Sequence, residues 1–123
     1  MASRNSFERL VQQCVAVFGL VTGNATTPTI SNQTGDIIAD KGNVSISRTS
    51  TGVYAMSITS FRGQKTTSSN VNVMVTPVTA GDNISVGTPA YTASTDTLVI
   101  TFTIQNASAS AVDDSFYFQV YAF

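Results

Sequence analysis

Residues 43–59 constrain the fold of this chain more than any other stretch. Val44 and Ile46 recur at period two, as do Tyr54, Met56 and Ile58. That alternation puts each set on one side of an extended strand, whereas a helical face repeats every ~3.6 residues. Between the two sets, Arg48 to Gly52 supplies hydroxyl side chains that bond nearby backbone and a glycine suited to positive φ. The segment is predicted to be a β-hairpin with a loop of about three to five residues.

The same period marks strands elsewhere. Val71, Val73 and Val75 alternate and Pro77 closes their strand; Ile84 and Val86 form a short one before Gly87–Thr88–Pro89. Leu98, Ile100, Phe102 and Ile104 give the strongest alternation, opposed by Thr97, Val99, Thr101 and Thr103. One face of that strand is core and the other is rich in hydroxyls. The apolar run from about Gln13 to Val21 fits a buried strand ending at Thr22–Gly23–Asn24, with shorter candidates at Thr29–Ser31 and Asp36–Ala39.

Composition narrows the function classes. Charged residues make up 11% of the 123 positions, against about 25% in an ordinary globular chain. Ser and Thr fill 33 positions, so hydroxyls and amides keep the surface wet and favour pleated structure. Six basic residues and a net charge of −1 leave no basic stripe to neutralise phosphates, which argues against nucleic-acid binding. No apolar run approaches the ~18 residues of a membrane span. With no histidine, the Ser/His/Asp and Cys/His relays and the usual zinc sets are excluded. The sole cysteine, Cys14, is expected to be a small buried hydrophobe. No cofactor is expected, and the chain is not expected to be an enzyme.

Few carboxylates remain to carry chemistry. Asp113–Asp114 is the one adjacent pair, and with no D-x-D-x-D-G loop around it the expectation is a solvated turn rather than a calcium site. Asp82 and Asp96 follow turn residues and are read as turn positions. All six Lys and Arg lie within residues 1–65, while residues 66–123 carry only Asp82, Asp96, Asp113 and Asp114. Chance accounts for so few charges; the other reading is complementary contact between neighbouring subunits. Five N-x-S/T sequons, at Asn24, Asn32, Asn43, Asn83 and Asn106, are expected to stay bare.

The two ends of the chain differ from its middle. In residues 1–12, Asn5 and Glu8 resemble a capping box, and Phe7, Leu10 and Val11 fall at helical spacing. Arg4 and Arg9 ahead of an apolar run suggest a signal peptide, but Glu8 and Gln12–Gln13 interrupt the approach and no small-x-small cleavage site follows. The segment is read as an attachment anchor, the alternative being an arm packed on its own domain. At the other end, Phe116, Phe118, Val120 and Ala122 form one apolar face, and Tyr117, Tyr121 and Phe123 a second. A strand apolar on both faces has to be covered on both, so Tyr117, Tyr121 and Phe123 are expected to form an oligomer interface. A covering loop of the same chain is the alternative. The Phe61–Asn70 connection is a binding-loop candidate, with Arg62, Gln64 and Lys65, and Tyr91 is the best placed aromatic for stacking on a sugar.

The hairpin also resembles a module of bacteriophage fibre and tail proteins, in which a strand reading roughly N-V-S-S-V leads through T-x-T-G-x-Y into a second strand. The matching residues are Asn43, Val44, Ser45, Thr49, Thr51, Gly52 and Tyr54. Val15–Gly19 is similar to that module's opening strand, Val71–Val75 to its central strand and Ser115–Phe123 to its closing aromatic strand. The opening strand lacks the tryptophan often found there, and no long shaft or enzymatic region is expected beside it. The resemblance spans residues from about 13 to 123 and implies a virion structural protein: a head or tail fibre, spike or decoration component on the virion surface.

The expected architecture is therefore all-β, an antiparallel, jelly-roll-like β-sandwich of about eight strands over residues 13–123, preceded by the 1–12 anchor as a short helix or extended piece. Its expected partners are two further copies of itself in a homotrimer, other virion proteins through the N-terminus, and a host surface glycan. The alternative is a free extracellular carbohydrate-binding or TNF/C1q-like module.

Overall fold

The computed structural model describes residues 15–35, 44–59 and 71–122. These form nine strands and, among the described residues, no helix: β1 (Val15–Thr22), β2 (Thr29–Gly35), β3 (Val44–Ser50), β4 (Val53–Thr59), β5 (Val71–Pro77), β6 (Asn83–Val86), β7 (Ala90–Thr92), β8 (Thr97–Gln105) and β9 (Phe116–Ala122). Every pairing is antiparallel. One sheet has the order β2-β1-β9-β5 and the other β3-β4-β8-β6. β7 pairs with β8 beyond β6, so β6 and β7 lie end to end along one edge, parted at Gly87–Pro89.

The predicted hairpin is β3–β4. Its connection is tighter than expected: Thr51 and Gly52 alone part the strands, with a bulge between Arg48 and Ser50. Gly52 takes φ +71°, and a Cβ there would lie 2.6 Å from the Ile104 carbonyl oxygen. Only glycine fits this turn.

The alternations in sequence become the core. Tyr54, Met56 and Ile58 of β4 and Leu98, Ile100, Phe102 and Ile104 of β8 are fully buried, facing Val17, Val21, Phe116, Phe118 and Val120 of the other sheet. Phe116 joins the layers, its ring centroid 4.9 Å from Phe102 and 6.4 Å from Tyr54. Two face-packed antiparallel sheets around one apolar layer make a sandwich-like fold.

β1 departs from the expectation of a wholly buried strand. Val17 and Val21 point into the core, whereas Phe18 and Leu20 are half-buried on the outer side. A bulge against β2 falls between Phe18 and Leu20, and Gly19 within it accommodates the Phe118 ring, which would stand 2.9 Å from an added Cβ. The Asp36–Ala39 strand candidate, Cys14 and the whole 1–12 segment lie outside the described residues.

Asp113 is the clearest departure. It is not a solvated turn residue: its side chain is 15% exposed and accepts four hydrogen bonds. The donors are Arg48 Nε at 3.1 Å, Arg48 Nη2 at 3.0 Å, the Gly52 amide at 2.9 Å and the Tyr54 hydroxyl at 2.8 Å. Arg48 Nη2 also donates to Thr51 Oγ1. The guanidinium, then the Gly52 amide and the Tyr54 hydroxyl, outweigh burial and hold the Asp113 carboxyl down to about 2 from an ordinary 3.8. Burial, then the bond to Asp113, pushes Tyr54 up to about 12. Arg48 is the sole basic residue among the described ones, and its guanidinium pairs with Asp113 of the same chain.

The Asp113 site sets the stability of the chain in three ways. A group with a depressed folded pKa stabilises above its unfolded value and loses that contribution as pH falls through the folded one. Thermal midpoints of the wild type should therefore drop between about pH 4 and about pH 2, and Asp113→Asn should lose that part of the acid dependence while melting lower at neutral pH. Tyr54→Phe should lose roughly 1.5–3 kcal/mol in urea titrations, the range for a hydrogen bond to a charged group. Gly52→Ala should lose roughly 1–3 kcal/mol for a left-handed non-glycine residue, before any clash is counted.

Candidate functional site

The two outer faces of the sandwich differ in chemistry. On the five-stranded sheet, alternation turns Ser45, Ser47, Ser57, Thr97, Thr101 and Thr103 outward, and no large apolar side chain stands free. On the four-stranded sheet the outward residues are Phe18 and Leu20 of β1, Asn72, Met74 and Thr76 of β5, and Tyr117, Gln119 and Tyr121 of β9. None of these is charged.

Register arranges them in rows. Leu20, Tyr117 and Thr76 are direct cross-strand partners, as are Phe18, Gln119 and Met74; Tyr121 stands opposite Asn72. Side chains in such rows stand close enough to touch. Phe18 meets Tyr121 edge-on, centroids 5.7 Å apart and planes at 73°, and the Tyr121 hydroxyl donates to Gln119 Oε1 at 3.1 Å. Tyr117 is 50% exposed and Met74 53%. Beside Tyr117 lies a shallow groove of about 400 Å³, lined by Phe18, Gly19, Thr76, Tyr117, Phe118 and Gln119.

β9 is thus apolar on both faces, as its sequence suggests, with Gln119 the one amide in its outer row. Tyr117 and Tyr121 share the outer face; Phe123 lies outside the described residues. Phe18 and Met74 join them unforeseen. Phe18 is hidden in an apolar run that reads as buried throughout, and Met74 stands between valines that set the inward side of β5. The alternation of β5 was the signal for Met74, whereas pairing with β9 fixes the side that Phe18 takes.

The remaining candidates are scattered. Tyr91 lies on β7, packs against the core and donates its hydroxyl to Asp96 Oδ1 at 2.7 Å, which, with burial, raises its pKa. Asp96 sits in the β7–β8 turn at φ +50°. Arg62, Gln64 and Lys65, and the anchor residues Phe7, Leu10 and Val11, lie outside the described residues. Among the described residues no three Cys, His, Asp or Glu side chains gather as a metal-holding group, and no helix is long and apolar enough to cross a membrane.

A second acidic site emerges where connections meet. Val78 donates its amide to the Ser115 carbonyl at 3.1 Å, tying the chain after β5 to the residue before β9. The Asp82 side chain there has Oδ2 shut off from solvent without a hydrogen-bond partner. Burial and then the Asp114 carboxyl raise the Asp82 pKa. Comparison of the chain with family models, curated proteins and solved structures returns no match.

Proposed function

We propose that this chain is a structural component of a virion surface, a fibre, spike or decoration module, that assembles as a homotrimer through the outer face of its four-stranded sheet. The observation that carries the reading is the half-exposed Tyr117 and Met74 on an uncharged face, flanked by the Phe18–Tyr121 pair. Burying the exposed halves of Tyr117 and Met74 removes on the order of 200 Å² per subunit from water, roughly 5 kcal/mol before the costs of association. An uncharged face also meets its own copy without repulsion.

The strand order supports a jelly roll. The chain passes between the sheets four times, and late strands settle between earlier ones: β9 between β1 and β5, β8 between β4 and β6. Such returns of late strands between earlier ones are a feature of the Greek keys in capsid and lectin jelly rolls. In this reading residues 1–12, with Phe7, Leu10 and Val11, hold the trimer to other virion proteins, and the Arg62–Lys65 connection is displayed toward a host surface glycan. The resemblance of the β3–β4 hairpin to the phage module points to the same class.

Native mass spectrometry of the wild type should give three chain masses, and Tyr117→Arg should give one while its far-UV circular dichroism stays that of the wild type. A wild type that is monomeric at micromolar concentration overturns the trimer. Deleting residues 2–12 should leave a soluble β fold that no longer enters particles; normal incorporation rejects the anchor.

A further inference from the structure

Three of the four sheet edges among the described residues are interrupted. β2 meets β1 across a bulge, β3 carries Arg48 and a bulge against β4, and the β6–β7 edge is made of short strands parted at Gly87–Pro89. β5 is different. All 7 of its residues pair with β9 in unbroken register, none is charged, and its proline stands at the last position. Among the described residues nothing pairs with its other side. Native sheets blunt or cover such an edge, because its row of open N–H and C=O groups is a template for another chain.

The core is also open along β5. This strand lies over β6, and the inward side chains Val71, Val73, Val75, Ile84 and Val86 of the two are only partly buried, whereas Met56, Ile100 and Phe118 in the middle of the sheets are closed from water. The large apolar side chains most exposed among the described residues gather at the same strand. Met74 stands on its outer side, Val78 just past its end and Tyr117 across from Thr76. β5 therefore borders two apolar surfaces, the outer face of its own sheet and the β5–β6 side of the sandwich.

A three-fold ring needs two such surfaces. Its contacts are heterologous, so each subunit gives one patch and receives a different one, and the outer face is not its own complement as it would be in a two-fold pair. We propose, resting on the trimer reading, that the outer face of one subunit packs on the β5 edge and β5–β6 side of the next, with β5 nearest the three-fold axis. The two patches adjoin along β5, which gives the corner that three subunits need to close about a line. Neither β5 nor β6 carries a charge, and the outer face has none. Tyr117 and Met74 cover the half-open valines of the neighbour. Asn72, Thr76 and Gln119 bring amide and hydroxyl groups that both donate and accept, as an open strand edge requires.

Amide hydrogen exchange of the wild type and of Tyr117→Arg tests this contact without altering β5. The β5 amides that point away from β9 should exchange roughly tenfold or more slowly in the trimer than in the Tyr117→Arg monomer, with β4 amides alike in both. Val73→Lys turns a charge inward at the edge, a device by which natural sheets keep edges apart, and should give one chain mass with the far-UV circular dichroism of the wild type. Mixed with Tyr117→Arg it should give two-chain masses, since one subunit keeps its face and the other its edge. Edge amides that exchange equally fast in trimer and monomer overturn this contact and leave the trimer standing, as does Val73→Lys remaining a trimer. A wild type of one chain mass removes both.

Discussion

One carboxylate organises the joint on which the rest of the sandwich depends. Asp113 receives both faces of the Arg48 fork, the amide of the turn glycine and the buried Tyr54 hydroxyl, so a residue just ahead of β9 is fixed to both strands of the β3–β4 hairpin. The hairpin belongs to one sheet and β9 to the other. Phe116, three residues on, then enters the core against Phe102 and Tyr54. Tyr54 thus serves two purposes, its ring filling apolar space and its hydroxyl ending at the charge. Such a partly buried ion pair adds little net energy but is costly to break, which suits it to specifying register.

The two sheets present opposite solutions to low charge. On the five-stranded sheet, outward Thr and Ser satisfy water one hydroxyl at a time, and β-branched threonine also suits the pleat. On the four-stranded sheet the outward positions of the central strands β1 and β9 hold aromatic and aliphatic side chains instead. Both inner faces share the same core, so the two sheets differ in their outer faces alone.

Most of the architecture was legible because strands report themselves at period two. Leu98–Ile104 and Tyr54–Ile58 are read from sequence as core and are fully buried. Apolar runs were harder: β1 reads as buried on both sides because nothing polar marks its outward positions, and only pairing to β9 shows which side Phe18 takes. The Asp113 site was illegible for a different reason. Its partners lie 59 to 65 residues away, so spacing carries no trace of them, and a D-D pair between small residues looks like any turn.

The position of β9 also orders events in time. β1 and β5 lie far apart in sequence and have no pairing with each other; β9 stands between them and pairs with both. Until that strand docks, the β1–β2 hairpin has no support and the four-stranded sheet does not exist. Contacts this distant in sequence make for slow closure, because the loop entropy is lost before the pairing is gained. The same delay keeps Phe18, Met74 and Tyr117 on separate pieces of chain. A face that β9 completes does not exist on the unfolded chain, so its apolar side chains are presented together only by the folded subunit.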